Sequence, residues 1–197
     1  MVREGFTVVR GGVLAALCAL AAAGSASAGS TVQSRQAAVP PPMTEILHSQ
    51  SGAGDVQRLL TGHNSERARL GLPPLKWNPA LARDARDWAR VLASRGQLEH
   101  ASHTARKGHG ENLWMGTAGA WNAEGMVQMF LDERRYFRPA AFPHVSLTGE
   151  WSDVGHYSQI VWRETREVGC ALDRAKGLDV LVCRYFPAGN VLGEKPY

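Results

Sequence analysis

Cysteine is scarce in this chain: three residues in 197, one of them Cys18 near the start. No HExxH or zinc-finger spacing occurs, so a preformed zinc site of those types is excluded. A Gly-x-Ser-x-Gly elbow, a phosphate-binding P-loop and a dinucleotide glycine pattern are also absent. There are no internal repeats. The one apolar run, Gly11 to Ala23, falls short of the ~20 residues that a membrane-spanning helix needs, and no later segment comes closer. Net charge is only +4, and basic residues alternate with acids, as in Arg83-Asp84 and Arg86-Asp87. That pattern describes a solvated helix face and no nucleic-acid partner.

What is present begins with an export signal. Arg3 and Arg10 form a positive start, the apolar run follows, and Ala26-Ser27-Ala28 closes it with small residues. This is the pattern of a signal peptide over 1–28, cleaved after Ala28, for a secreted or periplasmic protein. Leu17 stands before Cys18 where a lipoprotein site needs a small residue, so no lipid anchor is expected. Cleavage removes Arg3, Arg10 and Glu4 and lowers the net charge to +3. It leaves two cysteines, Cys170 and Cys183, and an even count in an exported protein favours a disulfide. Residues 29–53, with Pro40-Pro41-Pro42, have the composition of a flexible linker. The folded domain is expected over 54–197.

A first helix is predicted from Asp55 as N-cap, with Val56, Leu59, Leu60, His63 and Arg67 at helical spacing and Gly71 at its end. A second starts at Asn78, has Pro79 in its first position and closes at Gly96. A loop carrying His100, His103, His109 and Glu111 follows. A third helix is predicted from about Asn122 to Phe137, and loop from 138 to 154. A short amphipathic piece spans Tyr157 to Trp162. Two strands, about 167–173 and 179–186, flank a turn at Lys176-Gly177. Cys170 and Cys183 are equidistant from that turn, so they are expected to face each other across a hairpin. Helices around a small antiparallel sheet give an α+β sandwich.

Glu133 shares the stripe of helix three with Met126, Phe130 and Phe137, so it points inward. A buried carboxylate needs a hydrogen bond, an ion pair or a metal. His156 follows Gly155 and precedes Tyr157 and Ser158. Each is weak alone, and each has an ordinary structural reading: a packed core histidine, a glutamate bonded to backbone or arginine. Taken as a set, two imidazoles can ligate a divalent metal while two carboxylates orient the rings. His63, on the inner stripe of helix one, reads as a hydrogen-bonded core residue, and His103 and His109 as exposed loop residues.

With those residues in view, the chain resembles the CAP superfamily: cysteine-rich secretory proteins, antigen 5 and plant pathogenesis-related class 1 proteins, whose domain is also called SCP. The motifs are His63-Asn64 with Arg67, Trp77-Asn78, Gly110-Glu111-Asn112-Leu113, Phe130-Leu131-Asp132-Glu133, Gly155 to Trp162, Val168-Gly169-Cys170 and Cys183 to Asn190, in that order across 55–197. The resemblance, taken as that of a bacterial-type secreted member, implies an α-β-α sandwich with a small central antiparallel sheet flanked by helices. It implies a cleft with His100 and His156 as metal ligands, for zinc or magnesium, and Glu111 and Glu133 beside them. His103 is the rival to His100, since Gly96 and Ala101 stand where the family usually has Cys and Ser. Relatives are associated with apolar ligands, which implies a monomeric binding module for a sterol, fatty acid or other apolar small molecule. Helix three, with Met126, Met129 and Phe130, and the 138–154 loop are its candidate walls. The alternative is a metal-assisted hydrolase or protease in which His156 and Glu133 act on a bound water, with Ser158 as a conceivable nucleophile.

Overall fold

Residues 52–197 are described by the computed structural model; the expected signal peptide and residues 29–51 of the linker lie outside the described residues. Among the described residues, four α-helices and four strands follow in the order α1 (Ala53–Arg69), β1 (Lys76–Trp77), α2 (Pro79–Arg95), β2 (Gly110–Thr117), α3 (Ala123–Asp132), α4 (Gly155–Ile160), β3 (Glu167–Ala175) and β4 (Leu178–Phe186). Short 3-10 turns occupy Glu133–Tyr136 and Trp151–Asp153. The sheet order is β1-β3-β4-β2, antiparallel except for the two-residue parallel edge that β1 adds to β3. Among the described residues no helix is long and apolar enough to cross a membrane.

The layers follow from alternation along the strands. Leu113, Ala171, Val180 and Val182 face α2, where they meet Ala85, Ala89 and Leu92. Trp114, Cys170, Leu181, Cys183 and Tyr185 face the opposite way, toward Leu59 of α1, Met126 and Phe130 of α3, and Tyr157 and Ile160 of α4. This is the α-β-α sandwich expected. Small residues let α2 lie close on the sheet. A Cβ on Gly169 would stand 2.3 Å from the Ala82 amide nitrogen and 2.6 Å from the Asn78 carbonyl, so only glycine fits that crossing.

The start and stop signals of α2 are realised in full. Asn78 Oδ1 accepts from the Ala80 and Leu81 amides, Pro79 follows, and Gly96 closes the helix in the left-handed region at φ 71°. The first helix starts slightly earlier than Asp55, with Gly52 as its cap residue and no side-chain cap bond. The third is shorter than expected: its α-helical part ends at Asp132 and tightens into a 3-10 turn at Glu133. The segment carrying Glu111 is strand rather than loop. β2 begins at Gly110 and pairs with β4 along its whole length.

The Lys176-Gly177 turn holds, with both residues at positive φ, and the register sets Cys170 directly opposite Cys183. They form a disulfide. Closing a loop of this size stabilises by roughly 3 kcal/mol in the chain-entropy picture.

Candidate His/Glu site

The end of α3 and the start of α4 meet to build the first half of the site. Glu133 Oε1 takes the His156 Nδ1 at 2.5 Å, while Oε2 accepts the backbone amides of His156 at 3.0 Å and Tyr157 at 2.9 Å. The imidazole stacks on Phe130, centroids 4.7 Å apart at 21°. Glu133 therefore points inward, as its stripe predicted, and the carboxylate also serves the free amides at the first turn of α4. With Nδ1–H donating, the neutral ring carries its lone pair on Nε2.

The second half forms where the 100–109 turn enters β2. Glu111 Oε1 receives His100 Nδ1 at 2.6 Å and the Ala101 amide at 3.1 Å. Its other oxygen lies 3.0 Å from Arg184 Nη2, across the strand pair. That separation is an ion pair, although the angles fall outside a hydrogen bond. Both rings are about one-third exposed, His100 at 37% and His156 at 32%, over a fully buried Glu111 and a half-buried Glu133.

Asn112 joins the halves. Its side-chain amide donates to the His156 carbonyl and to the Tyr185 hydroxyl, both at 3.1 Å. Tyr185 in turn donates to His63 Nε2 at 2.8 Å, and His63 Nδ1 donates to the Leu59 carbonyl at 2.7 Å. Burial, opposed only in part by the Leu59 bond, pulls the His63 pKa down to about 4, so the ring is neutral and the relay has a single direction. His63 is thus the core histidine expected. Arg67, one turn on, donates to the carbonyls of Pro73, Ile160, Trp162 and Thr165, clamping the exit of α4 onto α1. Burial lowers its pKa to about 10, still leaving it charged at neutral pH.

A second support reaches Glu133 from below. Tyr157 donates to Glu66 Oε1 at 2.6 Å, and Arg134, the residue after Glu133, donates to Glu66 Oε2 at 3.1 Å. Burial would raise the Glu66 pKa, but the Arg69 and Tyr157 hydrogen bonds outweigh it and keep the carboxylate below its ordinary value.

The four residues stand as two imidazole–carboxylate pairs. Alternation along β2 puts Glu111 on the α2 face with Arg184 and Asn112 on the other. His103 is exposed in the turn, so His100 is the ring that Glu111 holds. Ser158 is fully buried and its hydroxyl is engaged by Asn190 Oδ1 at 2.7 Å and the Gly155 carbonyl at 3.2 Å, with no imidazole among those partners. Met126 and Phe130 are core, and Met129 Sδ accepts the Trp114 indole N–H, so this part of α3 is packed rather than a pocket wall. His109 is half-buried rather than exposed. Arg184 and Glu66 carry no motif that a strand or helix reading would single out; only the pairing register brings Arg184 to Glu111.

Among the described residues, the His/Glu set does not bring three potential ligand atoms within 4.8 Å of one another; the group that does is His63, Cys170 and Cys183. The sulfurs are bonded to each other and both His63 nitrogens are engaged, so the group could hold a metal only after reduction.

The sequence profile of the family described as "CAP: Cysteine-rich secretory protein family" matches residues 60–185. Pathogenesis-related protein 1B of Nicotiana tabacum is 38% identical over 154 residues, which cover 77% of this chain and 86% of that one. Pathogenesis-related protein PRMS of Zea mays is 32% identical over 154 residues, 77% of this chain and 87% of that one. Both are plant proteins, and a bacterial-type membership gains no support from them. Among solved structures, NaASP2 with Zn2+ superposes with a TM-score of 0.62 at 25% identity, over 72% of this chain and 83% of that chain. The chain belongs to the cysteine-rich secretory protein (CAP) family, in its pathogenesis-related class 1 branch.

Proposed function

We propose that this protein is an exported binding module whose His/Glu cleft holds a divalent metal through His100 and His156. The carrying observation is that each imidazole gives its Nδ1 to a carboxylate, at 2.6 and 2.5 Å. That contact sets the tautomer in which Nε2 is the ligating nitrogen and fixes the orientation of the ring. Imidazole donors favour zinc over magnesium. The solved relative with Zn2+ supports the same choice. Glu111 and Glu133 act on the rings rather than on the metal. The disulfide fits an oxidising compartment, in keeping with a leader over 1–28, a linker over 29–53 and a domain over 54–197.

The partner we infer is an apolar small molecule, taken up without covalent chemistry. Tyr136, Leu147 and Trp151 stand exposed on the segment that follows Glu133, at 43%, 65% and 38%. They replace α3 as the apolar surface. A hydrolase with Ser158 as nucleophile has less support, because Ser158 is buried and its hydroxyl is engaged by Asn190 and Gly155; a hydrolase in which His156 and Glu133 act on a bound water is the second reading.

Calorimetry with Zn2+ on wild type, His156→Ala, His100→Ala and His103→Ala tests the metal. Loss of binding in the first two variants alone is expected; loss in His103→Ala with none in His100→Ala would refute the assignment. A labelled fatty acid or sterol should bind saturably and persist in His156→Ala. His156-dependent turnover of an ester or peptide, with no saturable lipid binding, would establish the hydrolase instead.

A further inference from the structure

Five buried side-chain polar atoms lack a hydrogen-bond partner among the described residues, and all five belong to the 106–111 segment and to Arg184, which faces Glu111 across the sheet. They are Arg106 Nε, His109 Nδ1, Glu111 Oε2, and Arg184 Nε and Nη1. Glu111 Oε2 is served by its ion pair with Arg184 Nη2. The rest are three guanidinium N–H groups and one imidazole nitrogen.

Their placement follows from the fold. Arg184 faces Glu111 across β4 and β2. His109 packs edge-on against Phe186, two residues along the same strand, which puts it on the Arg184 face. Its amide bonds the Arg106 carbonyl, so the tight turn brings Arg106 to the same spot. Burial holds the His109 and Arg184 pKa values down; Asp84 opposes this at His109, and Glu111 and Asp84 oppose it at Arg184, while Arg184 and Lys107 add to it at His109 and Arg106 adds to it at Arg184.

The charges do not balance. Lys107 is neutralised by Asp84 at 3.1 Å. Glu111 is shared between Arg184 and His100. Arg106 has no carboxylate partner among the described residues. One positive charge and three N–H donors therefore converge beneath a turn whose outer residues, Arg106 and His109, are part-exposed. The Arg184 side chain is 3% exposed, so its unpaired N–H groups cannot simply turn to bulk solvent.

We propose that Arg184, Arg106 and His109 form a small-anion site behind the His100–Glu111 pair, suited to a single carboxylate. A carboxylate accepts charge-assisted hydrogen bonds from guanidinium N–H groups and supplies the missing negative charge. A cation is excluded by the sign of the site. Water could satisfy the donors but would leave the charge standing. The carboxylate can be a free small anion or the acid head of a longer ligand.

The test uses the processed full-length protein and follows the Arg106 and Arg184 Nε–H signals by NMR. Sodium acetate is titrated against sodium fluoride at equal ionic strength. A saturable acetate shift of both signals, weakened at least tenfold in Arg106→Gln, is expected. Laurate binding at least tenfold tighter than acetate, with the same signals moving, would identify an acid head as the source. Equal affinities would identify a free anion. An absent or non-saturable shift, or one unchanged in Arg106→Gln, overturns the proposal and leaves ordered water as the partner. Arg184→Lys, which keeps the charge opposite Glu111, should also lose acetate. None of these readouts involves zinc, so the result is independent of the metal reading.

Discussion

The two halves of the His/Glu site reach the same ring orientation by different means. Glu133 is held mainly by backbone: two amides and one imidazole from two consecutive residues, His156 and Tyr157, at the start of α4. Glu111 is held by charge, with a guanidinium almost entirely out of solvent on its far side. Backbone amides ask only for an acceptor, and part-exposed ones can find water. A buried cation asks for an anion. The first pair is thus replaceable at modest cost, whereas the second is built into the stability of the domain.

The largest test of that contrast removes each carboxylate in turn. Glu111→Ala strands Arg184 and should cost roughly 3–5 kcal/mol. Glu133→Ala exposes unpaired amides and should cost about 1–3 kcal/mol. Urea unfolding of both variants measures the difference, and the reverse order would break the comparison.

Acid should strike the backbone-held half through its relay. His63 has a folded pKa of about 4 against an ordinary 6.5, so the native state favours the neutral ring. Stability from this group is complete above pH 6.5, declines as pH falls, and is gone below pH 4, a loss of roughly 3 kcal/mol. In His63→Gln that slope between pH 6.5 and 4 should flatten. An unchanged slope would mean that the relay from His63 to the His156 carbonyl is not what acid breaks.

Cys183 lies beside Arg184 and opposite Asn112, so its disulfide braces the strands behind both halves. Cys170→Ala with Cys183→Ala should cost about 3 kcal/mol and lower Tm by roughly 6–12 °C. A drop within 1 °C in calorimetric scans would show that strand pairing alone suffices.

The smallest effect concerns affinity. Glu111→Gln and Glu133→Gln should each weaken Zn2+ binding by about 10–100-fold, as loss of a ring-orienting partner does. Calorimetry on both sharpens the comparison, for a response in only one would restrict the metal to that pair.

Much of this arrangement was legible in the chain. Asn78, Pro79 and Gly96 bracket α2 because capping is a local matter of two or three residues. The hairpin was legible because Lys176-Gly177 stands midway between the cysteines, and pairing by symmetry about a turn needs no distant partner. Glu133 was legible because its place on an apolar stripe is an anomaly that helical spacing exposes. The strand character of Gly110–Thr117 was not, since a motif rich in glycine and polar residues has little strand signature until β4 lies beside it.

What the chain determined by itself was therefore local: caps, turns, the inward carboxylate and the residues able to form a site. Tertiary structure alone decided which imidazole meets which carboxylate, why His100 rather than His103 is held, and that Arg184 faces Glu111. Helix periods and turn symmetry are properties of neighbouring residues, but the register of β2 on β4 is settled by packing on both faces of the sheet. A shift of one residue would turn Glu111 and Asn112 to the wrong sides.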